Sequence, residues 1–126
     1  MQSAVLVFVG AGLGGVLRHV LNLAVPRAFG EGFPWATFLI NATGSIAMGL
    51  LIGWLARRGE GAPREVQLFV ATGILGGYTT FSTFSLDAIR LIEREQLALA
   101  MLYVGGSVFL GIAGLWAGLT LTRGLA

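Results

Sequence analysis

Four long apolar segments constrain the fold of this chain more than any other feature of its sequence. Each is close to the ~20 residues that a helix needs to cross a bilayer core. They cover about residues 3–25, 35–56, 66–90 and 97–121, with short connections rich in Pro, Gly, Arg and Glu between them. The segments are apolar on all sides, whereas a soluble amphipathic helix keeps one polar face. We therefore predict one all-α integral membrane domain over residues 1–126, with four transmembrane helices.

Composition supports a membrane protein. Of the 126 residues, 56% are hydrophobic and only 11% are charged, whereas a soluble domain has about 25% charged residues. Cysteine is absent, which excludes disulfides and thiolate metal sites. No basic residue precedes Arg18, and the first apolar run is longer than that of a signal peptide, so we expect it to be a retained span. The expected location is the cell (inner) membrane, with several passes.

The eight basic residues, all arginines, give almost no signal for orientation. Four spans place both termini on one side, and the arginines then divide four against four. The terminal side has Arg57, Arg58, Arg64 and Arg123, and the other side has Arg18, Arg27, Arg90 and Arg94. This balance predicts a chain that inserts both ways and forms an antiparallel, dual-topology homodimer. The alternative is that one side has a slight excess of arginines, which the approximate edges of the predicted spans hide. The scatter of arginines also argues against a nucleic-acid partner.

A polar stretch inside the third segment is the strongest functional signal. Gly76 and Gly77 weaken a helix, and five hydroxyl residues follow them: Thr79, Thr80, Ser82, Thr83 and Ser85. Unpaired polar groups are costly in hydrocarbon, so this stretch should be buried in protein or line an ion path. We predict a broken third helix that opens at the glycine pair and frees carbonyls, which coordinate small cations in transporters. Phe81 and Phe84, three residues apart, are either a packed aromatic pair or part of such a path.

Polar residues in the other segments leave alternatives open. Arg18 lies deep enough to be costly, so it should snorkel or pair within the protein. Its role is either simple snorkelling or a vestibule charge that attracts an anion. Asn41 either joins helices or faces a polar path. Tyr103 and Ser107, four residues apart, share a helix face. Their hydroxyls either guide an ion or bond to carbonyls of their own helix.

Glycines in three segments indicate close helix contacts. Gly10 to Gly15 formally match a dinucleotide-binding pattern, but no strand precedes them, so we expect no nucleotide. Small residues four apart let helix backbones approach in lipid. Such pairs and runs are Gly10 and Gly14 in the first segment, Ser45, Gly49 and Gly53 in the second, and Gly114 and Gly118 in the fourth.

Three motifs together resemble the Fluc/CrcB family of fluoride channels. The most specific is the run from Gly76 to Ser85, and the others are Thr37 through Asn41 to Gly44-Ser45, and Gly14 to Arg18. Their order and four-span setting agree with the family over essentially the whole chain. The sequence departs from some relatives at Gly111, where a serine can occur.

The resemblance implies a dual-topology homodimer with two antiparallel pores that exports fluoride passively. It implies that Phe81 and Phe84 form an aromatic box and that Asn41 is a polar pore group. Hydroxyls of Thr83, Tyr103 and Ser107 would continue the pore, with Arg18 at the vestibule. The backbone carbonyls of Gly76 and Thr79 from both subunits would hold a central structural Na⁺.

Two other functions fit parts of the sequence. A small dual-topology multidrug exporter also has four spans, but it needs a carboxylate inside the membrane; the first segment has none, and Asp87 lies late in the third. A non-transporting membrane assembly subunit would explain the glycine faces but not the hydroxyl and phenylalanine stretch. No catalytic motif is visible, so we do not expect an enzyme.

Overall fold

The structure, a computed structural model, describes residues 1–124 and is almost wholly helical over that range. Its helices are α1 (Gln2–Phe29), α2 (Trp35–Arg58), α3 (64–78), α4 (Phe81–Glu93) and α5 (Leu97–Gly124). A 3₁₀ turn, Gly59–Gly61, follows α2. Helix α3 runs without interruption through an α-helical turn (Arg64–Val66), a π-helix (Gln67–Leu75) and a second α-helical turn (Gly76–Tyr78). The all-α prediction is confirmed.

Three helical stretches are long and apolar enough to cross a membrane: Gln2–Phe29, Trp35–Gly61 and Leu97–Gly124. They match the first, second and fourth predicted spans, and each extends beyond its predicted end. Helix α1 contains Pro26 and continues to Phe29. A proline this close to a helix end disturbs only the last turn. The helix ends instead at Gly30, which has a φ of +84° and donates its N–H to the Pro26 carbonyl at 2.8 Å.

The third predicted span, 66–90, consists of two helices. Thr79 and Thr80 lie between α3 and α4 with extended backbones, at φ −80°, ψ 158° and φ −152°, ψ 123°. Helix α4 has 13 residues and rises only about 20 Å, so it cannot cross a ~30 Å core alone. The expected opening at Gly76 and Gly77 is wrong, because both residues are helical. Gly77 packs closely on α1, and this contact favours the helix despite the low helix propensity of glycine.

Helices α1 and α3 touch backbone to backbone. A Cβ atom added to Gly14 would collide with the Ile74 carbonyl, and one added to Gly77 would collide with the Ala11 carbonyl. Gly10 is in the same position against the π-helical part of α3. Small residues drive helix association in lipid because they let main chains approach closely. The predicted packing role of Gly10 and Gly14 is confirmed.

Helices α2 and α5 form a second seam of the same kind. A Cβ atom on Gly49 would collide with the Leu115 carbonyl, and one on Gly118 would lie 2.7 Å from the Ile46 carbonyl. Gly53 also faces α5 without space for a side chain. The predicted small-residue faces of the second and fourth segments are confirmed.

The interior of the single chain is small. Only Tyr103 and Ile40 are large side chains with less than 2% exposure among the described residues. Many apolar side chains point outward, and Phe8 on α1 and Phe81 on α4 are 80% and 79% exposed. Apolar surface on this scale requires lipid or another subunit to cover it.

Candidate functional site

Asn41 of α2 holds the extended residues between α3 and α4. Its Nδ2 donates to the Thr80 carbonyl at 2.9 Å, and the Thr80 N–H donates to its Oδ1 at 2.8 Å. The amide therefore satisfies both backbone groups of Thr80, which a break in a helix leaves without helical partners. Of the two roles that the sequence left open for Asn41, joining helices is established by these two bonds.

Two threonine side chains bind backbone groups at the helix ends on either side of the break, Thr79 at the end of α3 and Thr80 at the start of α4. The Oγ1 of Thr79 donates to the Leu75 carbonyl at 2.9 Å, next to the Thr79 N–H bond to the same oxygen at 3.0 Å. The Oγ1 of Thr80 accepts the Thr83 N–H at 3.2 Å and so caps the N-terminus of α4. One short break thus brings together three of the predicted pore and cation-site residues: Asn41, Thr79 and Thr83.

Arg18 reaches this break from α1. It follows Gly14 by four residues, so it lies on the helix face that packs against α3. Its Nη1 donates to the Thr79 carbonyl at 3.3 Å. The carbonyls at a helix C-terminus carry partial negative charge, which favours a cation beside them. Arg18 therefore pairs within the protein, which is one of the two ways that the sequence offered for it to offset its cost.

A groove of about 360 Å³ opens beside the break. It brings together four predicted pore residues: Asn41, Phe81, Phe84 and Ser107. The rings of Phe81 and Phe84 lie 5.7 Å apart at 40°. Phe81 is 79% exposed in the single chain, so its ring lines an open surface. Phe84 is partly buried and packs against the core cluster that contains Tyr103.

Ser107 supplies an unused hydrogen-bond donor to this site. Its Oγ is buried and has no hydrogen-bond partner among residues 1–124. A serine inside a helix ordinarily returns its hydroxyl to a carbonyl one turn earlier, and Ser107 does not. A buried unpaired hydroxyl is costly, and a fluoride contact of Ser107 remains a prediction.

Tyr103 and Thr83 lie away from this groove. Tyr103 is fully buried, its ring is 5.2 Å from that of Phe84, and its hydroxyl donates to Asp87 Oδ2 at 3.2 Å. Thr83 lines a second cavity of about 390 Å³ together with Asp87 and Arg90. The rings of Phe81, Phe84 and Tyr103 therefore lead from the groove toward the second cavity. Direct fluoride contacts of Tyr103 and Thr83 remain predictions.

Sequence reasoning missed several residues at the break. The capping role of Thr80 was missed, although threonine before a helical stretch is a known start signal. The pairing of the Thr43 hydroxyl with the Tyr78 hydroxyl, at 2.9 Å, had no signal, since it joins two separate helices. Gly44 belongs to the second motif, but nothing in the sequence indicated its packing role: a Cβ atom there would collide with the Thr79 side chain.

Protein carbonyls are the donors available for a cation at the break. Among residues 1–124, no three His, Cys, Asp or Glu side chains come together in a way that could hold a metal ion. The Thr80 N–H is engaged by Asn41, and no backbone bond from it to the Gly76 carbonyl is formed. Carbonyl oxygens suit hard cations, so the predicted donors Gly76 and Thr79 are chemically compatible with Na⁺.

An all-helical membrane protein with a groove at a helix break, lined by an amide, two phenylalanine rings and a serine, is typical of channels and transporters. Residues 5–119 match the family described as "CrcB-like protein, Camphor Resistance (CrcB)". The chain belongs to the CrcB family, as its motifs predicted, and is a multi-pass membrane protein.

Relatives of this chain match it over nearly its whole length. It is 58% identical over 127 residues to "Fluoride-specific ion channel FluC" of Beijerinckia indica subsp. indica, covering 100% of both chains. It is 57% identical over 124 residues to "Fluoride-specific ion channel FluC 2" of Nitrobacter hamburgensis, covering 98% of this chain and 99% of the relative. A FluC of Hyphomonas neptunium is 46% identical over 123 residues, covering 98% and 97%. The prediction that the chain is not an enzyme is confirmed, since these relatives are ion channels by name.

Proposed function

We propose that this protein is a fluoride-selective channel that exports fluoride passively across the cell membrane. The observation that carries the proposal is the groove where Asn41, the rings of Phe81 and Phe84, and the unpaired Ser107 hydroxyl converge. Fluoride is small and strongly hydrated, so a pore must replace its water with hydrogen-bond donors. Amide and hydroxyl groups do this, and aromatic rings present positive edges to an anion. The names of the relatives support fluoride as the ion.

The working unit in this proposal is an antiparallel homodimer with two pores. Each chain crosses the membrane four times, and α3 and α4 together form the third crossing. The balanced arginines support insertion in both orientations. The open side of the groove and the exposed ring of Phe81 also support a second subunit, because a channel must enclose its ion.

A central Na⁺ would be held by the Gly76 and Thr79 carbonyls of both subunits. Two helix C-termini meeting at mid-membrane would concentrate partial negative charge there. A bound cation supplies positive charge that offsets this field near the anion path. The chain contributes the donors, and the Asn41 bonds to Thr80 keep the break in the conformation that exposes them.

The decisive experiment is ion efflux from liposomes that contain the purified protein. With the membrane potential clamped, we expect rapid fluoride release and no chloride release. Absence of fluoride efflux from liposomes that contain intact dimers would contradict the channel and would favour an assembly subunit. Efflux only in exchange for protons and a cationic drug would identify a multidrug exporter.

Dual topology has its own test. We expect a tag at one terminus to be labelled from both sides of the membrane in intact and permeabilised cells. We also expect a cross-link to form between antiparallel copies in the same membranes. Labelling from one side alone would contradict the antiparallel dimer without affecting the fluoride assay.

A further inference from the structure

We propose that Arg18 competes with sodium for the Thr79 carbonyl, so that cation binding at the break displaces the guanidinium. This inference rests on the sodium site in the proposed function. It assigns Arg18 a positioning role beyond the simple snorkelling and the vestibule charge that the sequence left open.

The geometry places Arg18 on the same oxygen as the proposed metal. Its Nη1 lies 3.3 Å from the Thr79 carbonyl oxygen. This is the only polar side-chain contact of Arg18 within residues 1–124. Both partners of this contact are held in place. Gly14 lets α1 pack closely against the end of α3, and the Asn41 bonds fix Thr80, next to Thr79.

The two cations exclude each other for an electrostatic reason. The carbonyls at the end of α3 attract positive charge, and either a guanidinium or a metal ion satisfies them. Two unit charges that share one oxygen in a partly buried site repel strongly, because the effective dielectric is far below that of water. The guanidinium is on a long, flexible stem, so it can leave when a metal binds.

Before the dimer forms, this arrangement would keep the Thr79 carbonyl at the break from being unpaired. A free carbonyl inside the membrane is costly, and a single chain offers only half of the proposed cation donors. Arg18 satisfies the Thr79 carbonyl in that state. Once two copies and a cation assemble, the released guanidinium is available to the anion path, which links cation binding to anion attraction.

The test is a sodium titration of thermal stability with the purified, full-length protein. Sodium replaces N-methylglucamine at constant ionic strength, and the half-saturating concentration is read from the rise in Tm. We expect Arg18→Gln to lower this concentration by about tenfold, since it removes a competing charge. Arg18→Lys keeps the charge and should stay within about twofold of the unmodified protein. The matched control is Arg27→Gln, which removes an exposed arginine of the same helix and should leave the value unchanged.

Three outcomes would overturn the proposal: no shift with Arg18→Gln, an equal shift with Arg27→Gln, or a tenfold shift with Arg18→Lys. If no form responds to sodium, both this inference and the sodium site fail. Fluoride efflux from the same preparations then shows whether the channel itself stands.

A second measurement needs no substitution at Arg18. In protein labelled with ¹⁵N-arginine, the guanidinium resonances of one of the eight arginines should shift with the same half-saturating sodium concentration, as the hydrogen bond from Arg18 Nη1 to the Thr79 carbonyl is lost. If the guanidinium resonances of all eight arginines are unchanged while Tm rises, sodium binds without displacing Arg18, and the inference is wrong.

Discussion

Helices α3 and α4 come from one predicted span, yet different interactions hold them. Helix α3 packs on α1 through main-chain contacts at glycines, with no space for even a methyl group at Gly14 or Gly77. Helix α4 is fixed at its start by the Thr80 cap and along its length by ring contacts such as Phe84 with Tyr103. Its first residue, Phe81, is exposed in the single chain.

This difference indicates that α3, packed on α1, belongs to the scaffold, whereas the start of α4 belongs to the site. Close main-chain packing tolerates almost no change in volume, so α3 forms a rigid wall that ends at the break. Side-chain hydrogen bonds and exposed rings are individually weak, so changes in α4 and its neighbours should alter ion flow before they alter the fold. The four predictions below test this division, from the largest expected effect to the smallest.

Gly14→Ala should prevent correct folding. Its Cβ atom would collide with the Ile74 carbonyl, which is backbone and cannot move aside; overpacking of this kind costs about 1–3 kcal/mol or more. The measure is the yield of monodisperse protein and its Tm. Gly15→Ala is the control, because a Cβ atom there meets nothing within 4 Å. Equal yields for the two variants would show that the α1–α3 seam is not tight.

Asn41→Asp should nearly abolish fluoride flux while the dimer persists. The change removes the donor to the Thr80 carbonyl and places negative charge in the groove. We expect a loss of flux of roughly 100-fold, equivalent to ~3 kcal/mol in the barrier. The measure is liposome efflux beside size-exclusion chromatography. Thr43→Val, in the same helix but outside the groove lining, should retain flux within about threefold; a similar loss there would indicate general damage to α2.

Phe81→Ile should reduce flux by about tenfold, or ~1.4 kcal/mol, because isoleucine has no polarised ring edge. Stability should change little, since the ring is 79% exposed in the single chain. Phe8→Ile is a matched control: Phe8 is 80% exposed on α1 and lies outside the groove. Unchanged flux in Phe81→Ile would show that the ring only packs between subunits.

Ser107→Ala should lower flux by about threefold to tenfold, the effect of one lost hydrogen bond of ~0.5–1.5 kcal/mol. It should leave Tm the same or slightly higher, because the hydroxyl has no partner to lose among the described residues. Ser85→Ala, which removes a bond to the Phe81 carbonyl at 3.0 Å, is the contrasting variant and should lower Tm slightly. A drop in Tm for Ser107→Ala would mean that its hydroxyl is bonded in the dimer.

The sequence predicted the helical fold and much of the site composition. Apolar length defined the spans, because hydrocarbon thickness fixes helix length. Spacing of four residues identified both glycine seams, because it places residues on one helix face. The groove also contains four residues chosen from sequence: Asn41, Phe81, Phe84 and Ser107.

Only the tertiary structure decided where the third segment breaks and which partners hold it. Local propensity favoured an opening at Gly76 and Gly77, but both are helical, and Gly77 is in close contact with α1. The extended residues are Thr79 and Thr80, whose backbone bonds come from Asn41, 39 residues away from Thr80. The partner of Arg18 is likewise 61 residues distant. Periodicity shows which residues share a helix face, whereas the packing of separate helices determines what that face meets.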